Sequence, residues 1–132
     1  MNFASVRLIT DHVGRLADFY EHVTGRAAVR HTPDFAELVL PGATLAIGST
    51  ATVALFGAGE AEPAANRTAI IEFRVDDVDA EFTRLRDVLG AVVQDPTTMP
   101  WGNRSLLFRD PDGTLVNLFP PVTAEATARQ SR

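Results

Sequence analysis

The chain repeats itself at half length. Residues 5–13, SVRLITDHV, and residues 70–78, IIEFRVDDV, are both β-rich apolar runs that end in Asp, one polar residue and Val. They lie 65 positions apart in a chain of 132 residues. Self-similarity at such a period marks two copies of one supersecondary unit, which restricts the fold more than any single motif does.

The segment after each run repeats as well. Val13, Leu16, Ala17, Phe19, Tyr20 and Val23 recur at helical spacing, and so do Val78, Phe82, Leu85, Val88 and Leu89. Asp11 is placed to cap the first helix, and Asp76 or Asp77 the second, with Gly25 and Gly90 as stops. Short strands come next. FAELVL and TLAIGS flank Pro41-Gly42, while SLLFR and TLVNLF flank Asp110-Pro111-Asp112-Gly113, a hairpin turn sequence. A further strand is expected near 26–31 or 51–56, and another near 91–95. The chain therefore reads as α+β, two βαβββ modules at about 4–56 and 67–121 in a single domain over 1–123. Residues 57–66 form the linker, and the polar tail 124–132 is expected to fray.

Composition removes several classes of function. There is no cysteine, so disulfides, thiol nucleophiles and zinc-thiolate sites are excluded. All 12 basic residues are arginine, which excludes Schiff-base lysine chemistry and a phosphate-loop lysine. Net charge is −5 with no arginine cluster, against a nucleic-acid partner. No run of about 18 apolar residues or basic-then-apolar leader is seen, so neither a membrane segment nor a signal peptide is expected, and a cytoplasmic location fits.

The paired modules, the Thr24-Gly25-Arg26 helix end and the stretches ITDHVGRLADFYEHVTG and PWGNRSLLFRDPDGTLVNLF resemble the vicinal oxygen chelate superfamily of glyoxalases, bleomycin-resistance proteins and dioxygenases. The resemblance runs from about Ala4 to Pro121. It implies curved mixed sheets around a cleft, often a homodimer, and in many members a metal on the inner face. The metal-ligand positions of the family fall here at Ser5, near Ala46 to Gly48, at Ile70 and at Asn117, none of them His, Asp or Glu. Metal-dependent glyoxalase or dioxygenase chemistry needs such ligands, so no metal and no other cofactor is expected. His12, His22 and His31 are spread along and beyond one helix and read as solvent-exposed.

Strand alternation anchored on Ser5 and Ile70 turns Arg7, Glu72, Arg74 and Asn117 toward the cleft, and Val6, Leu8, Ile71 and Phe73 toward the helices. These polar groups read either as ligand anchors or as a network, with Glu72 paired to Arg7 or Arg74. Trp101, the sole tryptophan, lies in MPWGNRS and is expected near the rim, as a stacking surface, a packing residue or a dimer contact. Tyr20, Phe56 and Phe108 could form pocket walls, with core burial the favoured reading for each. Three functions stay open: a metal-independent binder of a small apolar or aromatic molecule, such as a drug-sequestering protein; a metal-independent lyase or isomerase with Glu72 as base and an arginine at an oxyanion; or a dimeric interaction protein with a vestigial cavity.

Overall fold

In a computed structural model of the protein, residues 1–131 are described. The chain divides into two compact units, Met1–Asn66 and Arg67 onward. The first runs β1 (Ser5–Ile9), α1 (Val13–Thr24), β2 (Val29–Thr32), β3 (Phe35–Leu40), β4 (Ala43–Gly48) and α2 (Thr50–Ala54). The second runs β5 (Ile70–Arg74), α3 (Val78–Leu85), β6 (Ala91–Thr98), β7 (Arg104–Arg109), β8 (Leu115–Phe119) and α4 (Ala124–Gln130). Each unit is thus βαβββ with a short helix appended.

The sheets repeat as the sequence does. Their orders are β1-β4-β3-β2 and β5-β8-β7-β6, and in each the first strand lies parallel to the last while the others pair antiparallel. In the first unit, α1 packs on β3 and β4. Its buried Leu16, Ala17 and Tyr20 meet the face carrying Ala36, Leu38, Leu45 and Ile47. In the second, α3 packs on β6 and β7, beside buried Leu106 and Phe108. Pro96 lies in β6, an edge strand whose register slips on both sides of Gln94, which is where a residue without an N–H is tolerated.

Turn chemistry explains the boundaries. Gly25 closes α1 in the left-handed conformation at φ 68°, its N–H donating to the Glu21 carbonyl. In the β7–β8 hairpin, Asp110 Oδ1 accepts from the N–H groups of Asp112 and Thr114, and Gly113 supplies φ 88°.

Several local expectations are corrected. Asp11 does not cap α1: His12 holds the cap position with no side-chain bond, and the Thr10 hydroxyl accepts from the His12 N–H instead. Asp77 does cap α3, but the helix ends at Leu85, short of Gly90, because the Leu85 carbonyl accepts from both Val88 and Leu89 and turns the chain early. Of the two places open for the further strand of the first module, β2 takes Val29–Thr32, and residues 50–54 are helical, since the Ser49 hydroxyl caps Ala51 and Thr52 bonds back to the Ser49 carbonyl. Residues Ala124–Gln130, expected to fray, form α4, capped by Thr123 through the Ala126 N–H, with Ala126 buried. Among the described residues no helix is long and apolar enough to cross a membrane.

Candidate functional site

Pairing and alternation fix which side chains share a face. In the second unit Ile70, Glu72 and Arg74 of β5 sit opposite Leu115, Asn117 and Phe119 of β8, and Leu107 of β7 sits opposite Asn117 in turn. These residues lie on the face away from α3, because Arg104, on the opposite face, reaches Asp79 of α3. Glu72 and Asn117 are register partners, and the Asn117 Nδ2 donates to Glu72 Oε2 at 2.8 Å. Asn117 is only 8% exposed, and its Oδ1 is buried without a hydrogen-bond partner, whereas Glu72 opens to solvent.

The Glu72 partner is therefore the Asn117 amide and not Arg74, contrary to the ion pair the sequence suggested within this unit. Arg74 is occupied elsewhere: its Nη1 donates to the Gln130 carbonyl at the C-terminal end of α4, at 3.2 Å. A cation there faces the negative end of the helix. The adjacent residue of the same helix, Arg129, donates to the Trp101 carbonyl. The last turn of α4 thus holds Arg74 and the Trp101 loop at once, and Trp101 itself is 58% exposed. Gly102 allows the close approach: a Cβ there would sit 2.2 Å from Thr123 Oγ1 and 3.0 Å from the Ala126 Cβ. Sequence reasoning missed α4 because its residues are polar, though Thr123 before an alanine-rich run is a capping signal. Gln94, paired with Leu107 and carrying a buried, unpartnered Oε1, was also missed.

In the first unit Ser5 and Arg7 share the face away from α1, with Ala46 opposite Arg7. The Arg7 guanidinium lies over the Phe56 ring, 5.3 Å from its centroid. Phe56 is 75% exposed, so it is not a core residue, while Tyr20 and Phe108 are fully buried. Phe56 comes just after the α2 C-cap, and α2 returns to the Arg7 side of the sheet, where Thr52 lies against Gly48. On the same face His31 bonds Glu37 at 2.7 Å and stacks on Phe35.

As donors, the family's metal positions are weak here. Ser5 offers a hydroxyl, Ile70 an alkyl group, residues 46–48 alkyl groups and a glycine, and Asn117 one amide oxygen. Among the described residues no three His, Cys, Asp or Glu converge. This donor set does not fit a divalent metal, which takes three or four strong ligands at one point.

The sequence model of the Glyoxalase/Bleomycin resistance protein/Dioxygenase superfamily matches residues 2–118. The chain belongs to this superfamily. Solved structures similar to it include a glyoxalase/bleomycin resistance protein/dioxygenase family enzyme from Burkholderia phytofirmans PsJN, 16% identical with a TM-score of 0.82 over 92% of this chain and 100% of that one. Lactoylglutathione lyase from Agrobacterium tumefaciens is 22% identical, TM-score 0.69, over 89% and 92%. TioX from Micromonospora sp. ML1 is 25% identical, TM-score 0.68, over 92% and 100%. No curated protein matches the chain. Superfamily members with this fold differ in chemistry, so the fold places the chain and the side chains must argue its function.

Proposed function

We propose that the protein binds a small apolar or aromatic molecule, without a metal, on the face of the second unit that turns away from α3. The observation that carries this reading is the half-satisfied polar pair, Glu72 and Asn117, set among Ile70, Leu107, Leu115 and Phe119. A few fixed polar groups within apolar surroundings are the pattern of a small-molecule site. Arg74 lines the same face with its guanidinium held by the Gln130 carbonyl, and Trp101 offers an exposed ring at the α4 end. Ser5 and Arg7 are proposed as ligand-facing groups of the first unit. A homodimer is proposed as cover for the edge strands; a monomer in light scattering at micromolar concentration would count against it.

Binding is favoured over catalysis because Glu72, the base proposed on this face, accepts from an amide with one oxygen and has no second acid or oxyanion donor bonded to it among the described residues. The test is a thermal-shift panel of small aromatic compounds, with and without chelator, followed by mass spectrometry of the recovered compound. A ligand at 100 times its Kd should stabilise by about 2.7 kcal/mol. Recovery unchanged, with the shift insensitive to chelator, is expected. A chemically altered compound would establish an enzyme instead, and binding lost with chelator would overturn metal independence.

A further inference from the structure

We infer that the Glu72–Asn117 pair is an acceptor site that selects ligands carrying a cationic nitrogen, an amidinium or a protonated amine, on an apolar body. This rests on the binding role proposed for the same face and narrows its ligand class.

Chemistry fixes the orientation of the Asn117 amide. A carboxylate only accepts hydrogen bonds, so the group 2.8 Å from Glu72 Oε2 must be the amide nitrogen. The amide oxygen then points away from Glu72 as a second acceptor, and it is buried with no donor. A buried polar group left unpaired is a standing demand for a partner, and the missing partner here is a donor.

Charge points the same way. Two arginines share this face with Glu72, and both guanidiniums are turned to backbone carbonyls: Arg74 to Gln130 and Arg109 to Gly113. No salt bridge neutralises Glu72 among the described residues. An anionic ligand would meet a carboxylate and an amide oxygen, both lone-pair donors. A neutral hydroxyl would satisfy one acceptor and leave the charge. An amidinium presents two N–H groups in one plane and a charge of the right sign, the geometry in which charge-assisted bonds are strongest.

The surroundings specify the rest of the ligand. Along β8 the neighbours of Asn117 on this face are Leu115 and Phe119, and across the ladder stands Leu107. Beyond Leu107 is Gln94, a half-buried side chain whose amide oxygen is buried and unpartnered, two strands away at roughly 10 Å. The apolar strip between the two amides suits a flat or aliphatic body with a polar group at its far end.

The experiment compares three probes of one shape, benzamidine, benzamide and benzoate, by NMR titration of the intact isotope-labelled protein. Benzamidine should bind at least tenfold more tightly than benzamide, move the Asn117 side-chain NH2 resonances, and exceed benzoate further. Glu72→Gln, at a solvent-exposed position, should abolish the preference for benzamidine over benzamide, and Asn117→Leu should weaken benzamidine by a similar factor. Benzoate bound as tightly as benzamidine, or benzamidine binding that Glu72→Gln leaves unchanged, overturns the cation preference while small-molecule binding stands. If none of the probes perturbs this face at millimolar concentration, both the preference and the binding role proposed for the face fall.

Discussion

Replacing Gly102 with alanine tests the account of α4 at its tightest point. Gly102 has φ 93°, and its added Cβ would lie 2.2 Å from the Thr123 hydroxyl and 3.0 Å from the Ala126 Cβ. An L-residue held in left-handed backbone costs about 1–2 kcal/mol. Displacing Thr123 removes the N-cap of α4, about 1 kcal/mol more. The variant should therefore lose about 3 kcal/mol, which for a chain of this size is a fall of roughly 10 °C in Tm. Calorimetry measures the fall, and hydrogen exchange should show α4 and the 99–103 loop losing protection while α1 keeps its own. Gly102→Ala combined with Thr123→Ala should destabilise by less than the two changes taken singly, because the clashing hydroxyl is already gone. A Tm within about 2 °C of wild type, with α4 still protected, would refute the close packing and the role of α4 in holding Arg74 and Trp101.

Three further outcomes rest on the packing and the charges. Leu38→Ala should cost about 2–5 kcal/mol in chemical denaturation, and Val39→Ala, the next residue on the opposite face, less than about 0.5, which checks the face assignment of β3. Asp110→Ala should cost about 2–4 kcal/mol by stranding the Asp112 and Thr114 N–H groups, whereas Asp110→Asn, which keeps the acceptor, should lose much less; thermal melts separate the two. The Arg104 guanidinium, hydrogen-bonded to both Asp79 oxygens, holds that carboxyl below its ordinary value of 3.8. A depressed folded pKa stabilises above the unfolded value and is lost as pH falls through the folded one, so the small Tm difference between wild type and Arg104→Gln should be constant above about pH 5 and shrink below about pH 4.

The strands were legible because burial on one face imposes a period of two. Val6 and Leu8 pair with Leu45 and Ile47 beneath α1, and Arg7 faces away, as the alternation required. The same rule put Glu72, Arg74 and Asn117 on one face of the second unit. What alternation could not supply is who bonds to whom across strands. Arg74 was the natural partner for Glu72 by charge, but the register sets Asn117 directly opposite, and Arg74 finds a helix end that only the fold brings near. Phe56 looked like core because it is large and apolar, yet one turn of helix set off by Ser49 carries it out to Arg7. The tail misled for the converse reason: polar residues need little burial to be helical once a cap and one buried alanine hold them.

The parallel pairing of first strand to last has a consequence during synthesis. Once Val6, Leu8 and Ile9 have left the ribosome, β1 has no partner until residues 43–48 of β4 emerge, some 40 residues later. At translation rates of about 5–20 residues per second that is a wait of roughly 2–8 s, in which an apolar strand stands with both edges unpaired. Only β2 and β3 can zip as a local hairpin meanwhile, and β1 docks once β4 has joined them. The same delay recurs, slightly longer, for β5, whose partner β8 lies farther downstream than β4 does from β1. A nascent chain arrested with residues up to Thr32 clear of the exit tunnel should therefore be a strong chaperone client, and one arrested with β4 clear of it should not.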